Sequence, residues 1–222
     1  MLKRMPTSRA KQLVAAAAKA PTSDPQVSYP AWYLHRWHFL PEGYLSRRSA
    51  AGYEHLVRNV YNVWLEKRTI ASVVSALRGC NPSSVLEVGC GPGRLLQAIS
   101  KAGVGRELVG LDLSPYLLER ATKRLLGAGV RLAHADGLAL AAQEGEFDSA
   151  VASHYVGHLP GNLRAAAMKE LARVVRPGGH ILIVDHRWHP APATKALQLV
   201  RSERQSLGAV NFSMFLRTED GL

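Results

Sequence analysis

The sequence predicts an α/β fold, a doubly wound and mostly parallel sheet with a helical extension ahead of it. Val85, Leu86 and Val88 form a short apolar run that enters a turn holding Gly89, Gly91 and Gly93, then a stretch with Leu95, Leu96 and Ile99 at helical spacing. That is the pattern of a buried strand, a tight bend and an amphipathic helix. Further apolar runs alternate with helical segments, which implies right-handed crossovers and parallel pairing. Each run delivers a polar residue or glycine at its carboxyl end, where sheets of this kind bind ligands.

Along the chain, residues 1–21 carry five Lys or Arg and no acid around Leu13 and Val14. Lys19 interrupts that short apolar stretch, so a basic tail or helix is expected in place of a targeting signal. Residues 20–30 hold three prolines and read as an irregular linker. An aromatic cluster follows: Trp32, Tyr33, Trp37, Phe39 and Tyr44, mixed with His35, Arg36 and His38. Packing against the main domain is the expectation for it, with a lid over a site, a membrane interface or base stacking as alternatives. His35 and His38 lack a third ligand nearby, so no metal site is expected. Residues 46–77 read as one long helix or two shorter ones, with an apolar stripe through Tyr53, Leu56, Val57, Val60, Tyr61, Trp64 and Leu65.

Strands are then expected at about 84–88, 107–113, 130–135, 147–153 and 180–185. Helices are expected at about 94–102, from Ser114 and Pro115 as N-cap and first residue to about 126, and from an Asn162 cap to about 175. Arg176, Pro177, Gly178 and Gly179 should turn the chain into the fifth strand. This divides the chain into a basic, aromatic extension (1–45) and a domain (46–222) made of a helical cap (46–80) and a core (84–185).

The formal charge is +11, with +8 in residues 1–80 and +3 in 81–222. A basic front favours an anionic surface, nucleic acid or an anionic substrate, beside the plain reading of a solvated basic face. Two cysteines, Cys80 and Cys90, form neither a disulfide framework nor a metal pair, which points to a reducing, cytoplasmic setting. No apolar run approaches the ~20 residues that span a bilayer, so any membrane contact is expected to be peripheral.

The glycine turn selects among nucleotide ligands. The dinucleotide fingerprint G-x-G-x-x-G fails, because the third glycine falls at Arg94 in one frame and at Leu96 in the other. A phosphate loop fails for want of Gly-Lys-Ser/Thr. Glu87 with Gly89, Gly91 and Gly93 resembles instead the first motif of class I S-adenosylmethionine-dependent methyltransferases. The run from about Tyr53 to Asp185 is similar to the ubiquinone-biosynthesis-like, small-molecule type of that family. The likeness extends over Gly110 to Pro115, Phe147 with Asp148, His158 to Pro160, and Leu171 to Gly179.

A carboxylate at position 112 can accept from both hydroxyls of a ribose, Leu113 can cover an adenine face, and Asp136 with Gly137 can reach the adenine amino group. Taken alone, Asp136 equally suits a helix cap. The resemblance implies S-adenosylmethionine as cofactor, with Glu87, Gly89, Cys90, Gly91 and Gly93 around its methionine portion. It also implies that Ser153 and His154 line the path to the acceptor. His154 is the best-placed candidate base, with Tyr155 and His158 beside it. A narrower similarity, to bacterial phosphatidylethanolamine N-methyltransferases, rests on Tyr53, Glu54, Tyr155, Val156, Pro160, Asp185, His186, Leu207 and Gly208. Those enzymes more usually carry Asn-His after the fifth strand, so Asp185 is a departure.

Beyond the fifth strand a helix is expected at about 193–207, followed by a tail, so strands six and seven of the fold are expected to be missing. The open edge of strand five would then need covering by the tail, the extension or a second subunit. The resulting expectation is an enzyme that methylates a small-molecule or lipid-like acceptor, with peripheral contact to an anionic membrane. Two alternatives stand beside it. One is an RNA or protein methyltransferase, although the loop after strand four lacks the Asn/Asp-Pro-Pro-aromatic signature of many base N-methyltransferases. The other is a non-catalytic partner, favoured by the short C-terminus.

Overall fold

The computed structural model describes residues 4–37, 40–59, 63–186, 194–205 and 210–219, with the backbone alone at 57–59, 63–65 and 205. Expectations resting on His38, Phe39, Val60, Tyr61, Leu207 and Gly208, and on the side chains of Val57, Trp64 and Leu65, lie outside the described residues.

The elements in order are α1 (Thr7–Ala17), α2 (Arg47–Asn59), α3 (Val63–Cys80), β1 (Ser84–Val88), α4 (Arg94–Lys101), β2 (Glu107–Asp112), α5 (Pro115–Arg124), β3 (Val130–His134), β4 (Phe147–Ser153), α6 (Gly161–Val174), β5 (Val175–His186), β6 (Leu197–Gln205) and β7 (Val210–Arg217). They build one seven-stranded sheet in the order β3-β2-β1-β4-β5-β7-β6. The first five strands run parallel. β7 is antiparallel to both β5 and β6.

The C-terminal expectation is corrected here. Strands six and seven are present, and residues 197–205 form a strand where a helix was expected. Val210, Phe212 and Phe215 on β7 are buried, and β7 pairs with β5 from His180 to His186. β5 is therefore an interior strand and needs no second subunit to cover it. Two smaller differences concern turns. α6 begins at Gly161 after Pro160, with no side-chain cap, so Asn162 sits inside the first turn. The glycines after Arg176 form an irregularity within β5, because the pairing of β4 jumps from Val175 to His180.

Period-two alternation sorts the parallel strands onto two apolar layers. Ile181 and Ile183 face one side with Leu86, Val88, Ala150, Ala152, Met168 and Leu171. Leu182 and Val184 face the other with Val73, Leu77, Leu96, Ile99, Leu118 and Phe212. Gly110 lets α4 lie close on β2, since a Cβ there would stand 2.4 Å from Leu96 Cδ1. At the lower end of the sheet, Asp148 accepts from the Ser83 and Ser84 N–H groups at 2.6 and 3.1 Å and pairs with Arg176 at 2.5 Å.

The extension is packed onto this domain. Met5, Ala10, Leu13, Ala17, Tyr33 and Leu45 form a third apolar cluster with Leu113, Tyr116 and Leu117 of the β2–α5 junction. α1 thus turns its apolar stripe inward. His134 pins the linker: its Nδ1 accepts from Asp24 N–H at 3.0 Å, and its Nε2 lies 3.1 Å from the Leu113 carbonyl. That pattern fixes the neutral tautomer protonated at Nε2, and burial lowers the pKa of this ring. In the cap, Glu54 is held below its ordinary range: burial pushes it up, but the Arg124 and Arg120 guanidiniums on α5 outweigh that.

Phe215→Ala is expected to cost about 3–5 kcal/mol, because a fully buried ring between β5 and β6 is deleted. Urea unfolding reads this directly. A loss within about 0.5 kcal/mol, the range of surface substitutions, would mean that the β6–β7 hairpin is not packed on the sheet.

Candidate functional site

The site begins with the bend after β1. Gly89, Gly91 and Gly93 all have positive φ, at 72, 53 and 75°, a region that L side chains avoid. Their surroundings differ. A Cβ on Gly93 would approach Leu125 Cδ1 to 2.8 Å, so this glycine serves the packing of α4 against α5. A Cβ on Gly89 would stand 3.0 Å from Tyr155 Cβ, whereas one on Gly91 would meet nothing within 4 Å. Gly91 therefore presents bare backbone to an open space.

Asp112, at the tip of β2, closes one side of that space. Its Oδ2 accepts from Gly91 N–H at 2.8 Å and its Oδ1 from Ser114 N–H at 2.7 Å. Two donors leave lone pairs on both oxygens for further hydrogen bonds. Burial nevertheless outweighs those donors and pushes the carboxyl up to about 6. Glu87 lies deeper, 3% exposed, with no partner for Oε2. Burial first, and then the charge of Asp112, raise it well above the carboxylate range. Thr69 on α3 is also buried with an unpartnered hydroxyl. Glu87, Thr69, Cys90, Ser153 and His154 line the same recess beside the bend. Arg94 and Glu66 pair at 2.5 Å at its margin.

The loop after β4 supplies the opposite wall. His154 has φ of 55°, a strained conformation for a residue with a Cβ. Its N–H donates to the Val184 carbonyl at 2.7 Å, and its ring stacks on His186 with centroids 4.3 Å apart. Tyr155 lies against Gly89 and Gly137, and its buried hydroxyl has no partner. Burial raises its pKa, with Asp136 adding to the effect. A 3-10 turn at Val156–His158 brings His158 to 5.5 Å from the Trp37 ring. That turn is fastened by Asp185, whose Oδ2 accepts from Gly157 N–H at 2.8 Å.

The extension roofs the site. Trp37 stacks on Tyr44 at 6.2 Å and 14°, and Tyr44 meets the edge of Tyr53 at 5.5 Å. Trp32 and Tyr33 complete the layer. Beneath them is a cavity lined among others by Gly89, Gly91, Asp112, Leu113, Asp136, Gly137, Ser153, His154, Tyr155 and His158. Asp136 accepts from Leu138 N–H at 3.0 Å in a local turn, not as a helix cap.

Most of the sequence candidates converge here, with Glu87 and Cys90 in the adjoining recess and Gly93 lining neither space. Sequence reasoning gave a lid only as an alternative to packing for the aromatic cluster, and named Asp185 only as a departure from a family pattern, with neither among the site residues. The signal for the roof was the density of rings over residues 32–44; for Asp185 it was a carboxylate at the end of a buried strand. Both cysteines are free. Among the described residues no three His, Cys, Asp or Glu gather as metal ligands, and no helix is long and apolar enough to cross a membrane.

The residues present fit a nucleoside that carries positive charge. They offer an orphaned buried carboxylate oxygen, an open glycine backbone and a second carboxylate hydrogen-bonded to the bend. Comparison with known proteins points the same way. A family model described as a methyltransferase domain matches residues 85–179. A demethylmenaquinone methyltransferase of Staphylococcus saprophyticus is 33% identical over 117 residues, 51% of this chain and 48% of that protein. The biotin biosynthesis bifunctional protein of Bordetella avium is 28% identical over 180 residues, 74% of this chain and 36% of that protein. The chain thus spans about half or less of these relatives' length.

Among solved structures, the N-methyltransferase NodS of Bradyrhizobium japonicum, in complex with S-adenosyl-L-homocysteine, is similar with a TM-score of 0.58. It is 21% identical, with 77% of this chain and 98% of that one covered. Magnesium protoporphyrin IX methyltransferase of Synechocystis, with its cofactor bound, gives 0.61 at 17% identity, covering 75% and 91%.

Tyr155→Phe is expected to leave the stability of the ligand-free protein within about 0.5 kcal/mol, or to raise it, because the buried hydroxyl has no partner to lose. Thermal and urea unfolding check this. A loss above about 1 kcal/mol would show that the hydroxyl is bonded.

Proposed function

We propose that this class I S-adenosylmethionine-dependent methyltransferase domain transfers a methyl group from S-adenosylmethionine to a small-molecule acceptor. The observation that carries this reading is the placement of the Gly91 backbone and Asp112 on the cavity, with the orphaned Glu87 oxygen in the adjoining recess that Gly91 also lines. When bound, the cofactor would supply an electrophilic methyl on a sulfonium. Asp112 would accept from the ribose hydroxyls, Leu113 and Asp136 would border the adenine, and Glu87 would face the methionine ammonium. The chain's remaining work is alignment of the nucleophile with the methyl carbon and exclusion of water, for which Trp37, Tyr44 and Tyr53 are the cover.

An aromatic roof over the cavity favours an acceptor small enough to enter over an RNA or protein chain. The non-catalytic alternative rested on missing strands and loses that support. The similarity to quinone and porphyrin methyltransferases fits the small-molecule reading. A lipid-like acceptor drawn from an anionic membrane is the finer possibility that the basic front favours. Because α1 buries its apolar stripe, such contact would be electrostatic and would not involve insertion.

Three outcomes are expected. In calorimetry with S-adenosylmethionine, Asp112→Ala weakens binding by about 1–3 kcal/mol through loss of a charged hydrogen-bond acceptor; unchanged binding would remove the ribose assignment. Burial pushes the Asp112 carboxyl up to about 6, and the cationic ligand favours its charged form. Affinity should therefore fall as pH drops through about 6, and should be flatter in Asp112→Asn. Co-sedimentation with anionic vesicles should occur at low salt and vanish at high salt. No sedimentation at low salt ends the membrane reading.

A further inference from the structure

A second cavity adjoins the first. It lies between the extension, the turn after β4 and the end of β5, and it shares Trp32, Trp37 and His158 with the cavity under the roof. The two cavities thus meet at those residues. Its walls are the indoles of Trp32 and Trp37, set at 84° with centroids 6.5 Å apart. Asp185 contributes a carboxylate, 2% exposed as a residue and bordering the cavity. The cation on this wall, Arg164, directs Nη2 to the Gly157 carbonyl and Nε to the Leu159 carbonyl, at 3.0 and 3.1 Å. Its guanidinium is engaged in shaping the turn. Indole rings and a buried carboxylate together are chemistry that recognises an ammonium group.

We propose that this second cavity is the acceptor pocket and that it takes an amine, held in its ammonium form by Trp32, Trp37 and Asp185, with Asp185 receiving the proton that the amine must lose. This rests on the methyl-transfer reading above. The ammonium N–H bond breaks and its proton passes to the Asp185 carboxylate. The freed nitrogen lone pair then forms the new bond to the sulfonium methyl carbon. The carbon–sulfur bond breaks with its electron pair going to sulfur, leaving a thioether and a methylated ammonium. Burial pushes the Asp185 carboxyl up to about 7, against the Gly157 N–H and Arg164, which pull it down. That matches a group meant to exchange a proton near neutrality. The other ionisable groups facing it are His186 on its own strand, His154 after β4, His158 on the turn, His35 on the extension and Arg164 on α6.

The test uses the full chain. Binding of S-adenosyl-L-homocysteine is measured first, and its failure defeats the cofactor reading itself. With that ligand saturating, choline and its uncharged isostere 3,3-dimethylbutan-1-ol are titrated by calorimetry. Choline should bind at least about tenfold more tightly. Asp185→Asn, whose amide oxygen can still accept from Gly157 N–H, should reduce that preference to within about twofold without changing the affinity for S-adenosyl-L-homocysteine. Equal binding of the two probes by the unaltered protein, or no binding of choline, overturns the proposal.

Turnover supplies a second arm. Labelled methyl from S-adenosylmethionine should enter 2-phenylethylamine and not 4-ethylphenol, and Asp185→Asn should lower kcat and abolish the limb that rises near pH 7. A limb that persists in Asp185→Asn would assign the proton to one of the histidines. Label in the phenol alone would assign the pocket to an oxygen or ring-carbon acceptor. Either result overturns the proposal as stated.

Discussion

The contact on which the site depends is the pair of hydrogen bonds that Asp112 accepts, one from the glycine bend and one from the start of α5. Burying a carboxylate is costly unless donors surround it, and here the donors are backbone groups whose positions β1, β2 and α5 already fix. The carboxylate thus locks the bend to the neighbouring strand and stays oriented toward the cavity. Burial raises its pKa and that of Glu87 beneath it by disfavouring their charged forms, which a cation in the site would favour again.

Around this centre the extension acts as a wall of the domain. Ser114 shows the economy of the junction: its hydroxyl accepts from Leu117 N–H to cap α5 and donates to the Tyr44 carbonyl at 2.6 Å. Thr22 donates to the Pro115 carbonyl beside it. Glu54 ties the cap to α5 through two arginines, and Arg124 also donates to the Pro92 carbonyl in the glycine loop. The roof, the helix and the loop are therefore tied to one another. At the site, backbone strain falls on His154, whose left-handed backbone is held by Val184 and by the stacked His186.

The C-terminal region shows where a linear reading fails. Residues 197–205 mix Leu197, Leu199 and Val200 with Gln, Arg and Glu, a composition that helices tolerate as well as strands do. What decides in favour of a strand is the partner. Phe212 and Phe215 of β7 fill the two faces of the sheet beside β5, and the outermost strand then completes the hairpin with a register shift between Leu199 and Arg201. No local propensity records that requirement.

From its residues alone, the chain determined the five parallel strands, the glycine bend, the acidic tips of β2 and β3 and hence the kind of ligand they suit. These depend on period, turn chemistry and spacing within short windows, which sequence preserves. Tertiary structure alone decided that Trp32, Trp37 and Tyr44 form a roof and that Asp185 meets Gly157. It also decided that the sheet closes with β7 between β5 and β6. Those outcomes depend on surfaces brought together from distant positions, where burial and backbone pairing override local preference.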